Sequence, residues 1–291
     1  MCVPARPIPL FTDIDDVAKR LAETGYLPDR ATATAVFLAD RLDKPLLVEG
    51  PAGVGKTELA RAVAQTTGSE LVRLQCYEGV DEARALYEWN HAKQILRIQA
   101  GSGDWDQTKM DVFSEEFLLS RPLLTAIRRT EPTVLLIDET DKADIEIEGL
   151  LLEVLSDFAV TVPELGTITA TRKPFVLLTS NATRELSEAL KRRCLFLHID
   201  FPDPDLERRI LLSRVPELPE RLAEELVRII GVLRGMQLKK VPSVAETIDW
   251  GRTILALGLD TIDDEVIAAT LGVVLKHQSD QKRASGELRL N

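Results

Sequence analysis

Aromatic residues are scarce, at 5% of the 291, and there are only three cysteines. Cys2, Cys76 and Cys194 are odd in number, far apart and without a CxxC pair, so a disulfide framework is not expected. A reduced, cytoplasmic chain fits this usage, with Cys76 and Cys194 as small core residues. Long apolar runs are missing too. The longest, Val266 to Leu275, is interrupted by a threonine and a glycine and reaches about half the length of a bilayer span. The opening MCVPARPIPLFTDIDD has no apolar signal core and no small-residue cleavage site. No membrane insertion is therefore expected. Basic charge is not in excess either: the net charge of −11 argues against a surface built throughout for nucleic acid, though a few cations lining a pore are compatible with it.

What is present is an ordinary globular balance, 45% apolar and 29% charged. The length favours one large domain and a smaller one. Short apolar runs alternate with longer helix-like segments, the pattern of an α/β sheet with covering helices. Strands are predicted over Leu46–Glu49, Leu71–Cys76, Thr133–Asp138, Phe175–Ser180 and Leu195–Phe201. Several are apolar throughout, as central parallel strands covered on both faces should be.

Past Phe201 the pattern becomes helical. Leu222, Leu226, Ile229, Ile230 and Leu233 recur at helical spacing, and Ser243–Glu246 and Thr261–Asp264 fit capping-box helix starts. The expected division is a core over 1–202, a helical domain over 203–280 and a tail over 281–291, with the boundary near Pro202-Asp203-Pro204. Two inserts read as hairpins: YEWNHAKQILRIQ, with Tyr87, Trp89, Ile95 and Ile98 flanking a polar turn, and VTVPELGTITA, with Val160, Val162, Ile168 and Ala170 flanking Pro163–Gly166. The aromatic pair Tyr87 and Trp89 serves as packing or as an exposed contact surface.

The chemistry begins at GPAGVGKT, which fits G-x-x-x-x-G-K-[ST] between a strand and a helix. Its members are Gly50, Pro51, Ala52, Gly53, Val54, Gly55, Lys56 and Thr57, with Glu58 following. The glycines let backbone N–H groups curl around an anion, and the helix start adds its positive pole. Lys56 supplies a mobile charge for the β- and γ-phosphates, and the Thr57 hydroxyl can ligate magnesium. ATP and Mg2+ are the expected cofactors.

TVLLIDE, Thr133 to Glu139, is an apolar strand ending in two carboxylates. Asp138 is suited to hold magnesium beside Thr57, and Glu139 to orient and deprotonate water. Asn181, ending PFVLLTSN, can hold that water, or else merely form an Asx turn. Lys191, Arg192 and Arg193 lie too far along the fold to bend back easily to their own nucleotide, so reaching a neighbour's is the alternative to a solvated edge. Two motifs are set aside. Asp141, Asp144, Glu146 and Glu148 lack calcium-loop spacing and read as helix-start or surface acids. TKMD, Thr108 to Asp111, resembles a guanine-reading motif but precedes the magnesium strand instead of following it.

GPAGVGKT, LLIDE, TSN and ALKRRC, in that order and spacing, resemble an AAA+ ATPase over nearly the whole chain. The two inserts place it near the MoxR family, and LQCYEGVDEARALYEWN with VPSVAETIDW resembles the branch associated with carbon monoxide dehydrogenase maturation. The resemblance implies an α/β fold: a P-loop αβα core with a parallel sheet and hairpin inserts, followed by a helical lid. It also implies a homo-oligomeric ring, usually a hexamer, with ATP between subunits. Asn181 becomes the first sensor and Arg193 the arginine finger, with Arg192 the second choice. Such a finger contributes about 10³–10⁵ in rate. One departure stands out: where many MoxR relatives carry a second-sensor arginine, this chain has Val244, with Arg252 a possible substitute further on. The implied role is chaperone-like remodelling of a protein client, often with a von Willebrand factor A partner, in assembling a metalloenzyme or other complex. A DNA-acting motor or loader shares these motifs, but the acidic charge and the absence of a helix-turn-helix after the lid oppose it. A non-hydrolysing scaffold is opposed by intact Glu139 and Asn181.

Overall fold

Five of the apolar runs assemble into the central sheet. The computed structural model describes residues 9–100 and 111–288. In it, β1 (Leu46–Glu49), β2 (Glu70–Gln75), β5 (Thr133–Asp138), β8 (Phe175–Ser180) and β9 (Leu195–His198) pair all in parallel, in the order β2-β5-β8-β1-β9. Alternation along each strand feeds two cores. Leu46 and Val48 pack beneath α1 (Ile14–Glu23), α2 (Arg30–Arg41) and α3 (Lys56–Thr67), while Leu47 points to the other side. There it joins α6 (Pro122–Arg128) and α7 (Ile145–Asp157), whose Leu123, Leu124, Ile127, Leu151 and Val154 are fully or nearly buried. With both faces covered, β5 and β8 are buried along their whole length, which is why they lack polar alternation.

Parallel strands all end at the same edge of the sheet, so the carboxyl tips of β1, β5 and β8 stand side by side. Glu49, Asp138 and Ser180 end those strands, and Cys76 N donates to Asp138 O at 2.8 Å just beyond the tip of β2. That edge is where a ligand crevice forms in open α/β sheets. The fold is thus the α/β core that the sequence implies.

One expected insert is a hairpin and one is not. β6 (Ala159–Val162) and β7 (Gly166–Thr169) pair antiparallel with Val160 opposite Ile168. In YEWNHAKQILRIQ, by contrast, β3 (Tyr87–Trp89) pairs with β4 (Leu118–Ser120), thirty residues on, and His91–Ala100 is a helix, α5. The hairpin expected there is wrong: Ile95, Leu96 and Ile98 are exposed on α5 while Gln94 is buried, bonded to Val112 O at 2.8 Å. The aromatic Trp89 packs edge-on against Phe113.

The helical region is built from α9 (Pro204–Arg214), α10 (Glu220–Gly235), α11 (Val244–Ala256), α12 (Asp264–Val274) and α13 (Gln278–Glu287), around a third core centred on Trp250, Leu226, Ile230 and Leu271. Asp203 caps α9 with Pro204 at its first position, the arrangement a helix start favours. The Ser243–Glu246 capping box is formed. The second is not: Asp263, rather than Thr261, caps α12 by accepting from Val266 N. The expected tail also differs, because α13 runs through residue 280 to Glu287 and Ala284 is fully buried. Among the described residues, no helix is long and apolar enough to cross a membrane. Cys76 is buried and Cys194 half-buried; burial pushes both thiols up to about 12. Cys2 and residues 108–110 of TKMD lie outside the described residues, and Asp111 pairs with Arg97.

Candidate functional site

The loop from Gly50 to Gly55 turns between β1 and α3 in a conformation that side chains would block. Gly50 has φ +154, and a Cβ there would lie 1.9 Å from Ile199 O, whose own N–H is tied to Glu49 O. Gly53 has φ +77, and a Cβ there would meet Ser243 Oγ at 2.5 Å. The start of α11 therefore rests directly on the loop, with Ala245 N donating to Gly53 O at 3.3 Å. Core and helical region close on one cleft of about 750 Å³.

Lys56 is buried at the centre of the loop. Its Nζ donates to Gly50 O and Pro51 O, each at 2.7 Å, and to Asn181 Oδ1 at 2.8 Å. Burial pulls its ammonium below the usual lysine range, against the opposing pull of Asp141, Asp138, Glu139 and Glu49. α3 starts from Gly55 with no side-chain cap, and Gly55, Lys56, Thr57 and Glu58 all line the cleft. A first helical turn without a side-chain cap offers N–H donors and a positive pole to an anion.

Asp138 is 3% exposed at its side chain and accepts from three directions. Thr57 Oγ1 reaches Oδ1 at 3.0 Å, Thr179 Oγ1 reaches the same oxygen at 2.6 Å, and Arg73 holds Oδ2. Thr57 and Asp138 thus set two hard oxygen ligands side by side, a donor set suited to magnesium, which usually binds through one or two protein oxygens plus waters and phosphates. The uncapped helix turn, the buried lysine and this oxygen pair fit a magnesium-bound triphosphate.

Glu139 follows with φ +56, in the left-handed region that side chains avoid. Its N–H donates to Thr179 Oγ1 at 2.8 Å, which anchors the turn. Its Oε2 accepts from Gln75 Nε2 at 3.0 Å and from Lys142 Nζ at 2.6 Å. A Gln75–Arg73 hydrogen bond links the two carboxylates through the tip of β2. Three of the remaining acids of this stretch have structural partners, with Asp144 capping α7, Glu148 paired with Arg184 and Asp141 accepting from Thr183, while Glu146 is exposed in the first turn of α7.

Lys56, Thr57, Asp138, Glu139 and Asn181 therefore line one cleft, with Ala52, Gly53, Val54, Gly55 and Glu58. Arg192 and Arg193, near the end of α8 (Glu188–Arg193), are not among its lining residues. Both are exposed. Arg193 Nε donates to Ser156 Oγ at 2.6 Å, whereas Arg192 has no side-chain partner among the described residues. Val244 and Arg252 both reach the cleft, and Arg252 pairs with Asp249 at 3.4 Å. Sequence reasoning passed over Arg73, Gln75 and Thr179. Their signal is position: each lies at the carboxyl end of a strand adjoining β5.

The family described as ATPase family associated with various cellular activities (AAA) matches residues 46–202, more than half of the chain. This chain belongs to the AAA ATPase family. The AAA match opens with β1 and ends at Pro202, so it takes in the whole sheet, the phosphate loop, Asp138 and Glu139. Protein NorQ of Paracoccus denitrificans is 22% identical over 272 residues, covering 90% of this chain and 92% of that one. The 26S proteasome regulatory subunit 8 homolog B of Arabidopsis thaliana is 24% identical over 252 residues, 82% of this chain and 49% of that protein. Chaperone protein ClpB 2 of Parasynechococcus marenigrum is 33% identical over 135 residues, 45% of this chain and 13% of that one. This AAA chain spans about half the length of the proteasome subunits it matches.

Proposed function

We propose that the chain hydrolyses ATP as a MoxR-type remodelling ATPase, working in a ring whose nucleotide sites are shared between neighbouring copies. The observation that carries this reading is a separation in space: phosphate-loop residues from Ala52 to Thr57, the carboxylates Asp138 and Glu139, and Asn181 line one cleft, while Arg192 and Arg193 stand exposed outside its wall.

ATP bound with magnesium supplies the scissile phosphate and a metal that neutralises charge developing on it. The residues divide the remaining work. Gly50 to Gly55, Lys56 and the first turn of α3 bind and orient the phosphates. Thr57 and Asp138 hold the metal. Glu139 takes a proton from water, and Asn181 holds that water in line. Leu27, Ile199, Leu206, Ile210 and Ile248, also lining the cleft, receive the base. Arg193, or Arg192 beside it, serves the neighbouring copy's site. Val244 offers no charge as a second sensor, so the lid is coupled through its contacts with Gly53 and with Glu58, which pairs with Arg214 at 2.8 Å.

The MoxR assignment draws support from the β3–α5–β4 and β6–β7 inserts and from the match to NorQ over nearly the length of both chains. The carbon monoxide dehydrogenase branch rests on the stretches Leu74–Asn90 and Val241–Trp250. A cytoplasmic protein client, with a von Willebrand factor A partner, completes the proposal. ATPase rate per subunit, measured against protein concentration, tests it. The rate should climb through the assembly range, and Arg193→Ala should hold it near the dilute value. A rate independent of concentration would contradict shared sites.

A further inference from the structure

Asp141 is 3% exposed, is not among the cleft's lining residues and has no part in the scheme above. Sequence alone reads it as a helix-start or surface acid; it lies in the first turn of the short 3-10 helix Thr140–Lys142, but its side chain caps no helix. Its Oδ2 accepts instead from Thr183 N at 3.0 Å and Thr183 Oγ1 at 2.5 Å, forty-two residues away. These bonds lie just past the tip of β8. Between Asn181 and Thr183 stands Ala182, with φ +55, a left-handed conformation that a side chain adopts only when its surroundings force it. Ala182 N is fixed to Ser180 Oγ at 3.0 Å on one side, and Thr183 to Asp141 on the other. The turn so held presents Asn181 Oδ1 to Lys56 Nζ at 2.8 Å.

Burial alone would raise the Asp141 carboxyl, yet the donors from Thr183 and the Asn181 backbone outweigh it and hold it below the usual carboxylate range. An ionised Asp141 clamps the turn, and the same charge adds to the attraction on Lys56. Remove the clamp and Ala182 can relax to negative φ, which swings the Asn181 amide away from the phosphate end of the cleft.

We propose that Asp141 is a positioning residue for hydrolysis: by gripping Thr183 it holds the strained Ala182 turn that aims Asn181 into the cleft. This rests on the ATP-hydrolysis reading, with Asn181 as the amide that acts. The test compares Asp141→Ala, Thr183→Val and Asn181→Ala, singly and combined, by ATP binding and by turnover at saturating ATP. Melting curves establish folding, and Thr183→Val keeps the side chain's shape should Asp141→Ala be unstable. Asp141→Ala should bind ATP within about threefold of the parent and turn over about ten- to a hundredfold more slowly, the scale of a misplaced group. Thr183→Val should lose less, in the same direction. Neither change should add to the loss in an Asn181→Ala background, because the amide they position is already gone. Parental turnover in Asp141→Ala alongside a slow Asn181→Ala would overturn the proposal, as would losses that multiply. A parental rate in Asn181→Ala would instead remove the role given to Asn181 itself.

Discussion

Arg73 donates from both Nε and Nη2 to one oxygen of Asp138, at 3.0 and 2.5 Å, across sixty-five residues of sequence. The carboxylate is buried and the guanidinium is 43% exposed, so the pair is screened only from one side. It also leaves the other carboxylate oxygen to Thr57 and Thr179.

Arg73→Met should therefore leave a buried charge with neutral donors only, next to Glu139 and Asp141. Breaking a wholly buried pair costs about 3–5 kcal/mol, and solvent access to Arg73 reduces that to about 1–2 kcal/mol. Thermal unfolding without nucleotide should show the loss as a lowered Tm. Magnesium and ATP together should narrow the gap, and an unchanged Tm would mean that other groups hold Asp138.

Ala182→Gly should raise stability by about 1 kcal/mol, because glycine adopts the φ of +55 without strain. Gly50→Ala should do the reverse by about 3 kcal/mol or more, since its Cβ would strike the backbone oxygen of Ile199. Chemical denaturation of both variants checks the two signs in one experiment.

Acid should loosen the turn regions first through Glu148 and Asp141. Burial raises the Glu148 carboxyl, but bonds from Ser187 and Arg184 more than offset this, and both acids sit below the usual range when folded. A depressed folded pKa contributes stability above the unfolded carboxylate pKa, about 4, and that stability is lost as pH falls through the folded value. Glu148→Gln should flatten the stability curve below about pH 4 relative to the parent. An unaltered acid limb would remove Glu148 from the account.

Much of the fold is legible because its signals are local. GPAGVGKT sets glycines, a lysine and a hydroxyl in one short turn, and β5 and β8 are apolar from end to end because both faces are covered. The first two helices drew no specific expectation, since their role emerges only when Val17, Leu21 and Val36 meet β1 and α3. The misread insert shows the limit of periodicity. Apolar residues at Ile95 and Ile98 mark a buried face only when something covers it, and here they are exposed. Arg73, Thr179 and Asp141 escaped for another reason: they act on residues sixty-five, forty-one and forty-two positions away. Polar side chains near strand ends are the pattern that would have found Arg73 and Thr179, whereas Asp141 lies in the turn after β5.

Sharing of sites between copies is most directly measured by mixing two inactive variants. Arg193→Ala and Glu139→Gln are each expected to be nearly inactive alone, the first lacking its neighbour's cation and the second its own base. Mixed assemblies contain interfaces that join an intact Glu139 to an intact Arg193, and their ATPase rate should rise well above either variant's. A mixture no faster than the average of its parts, with Arg192→Ala/Arg193→Ala behaving alike, would contradict a site completed from next door.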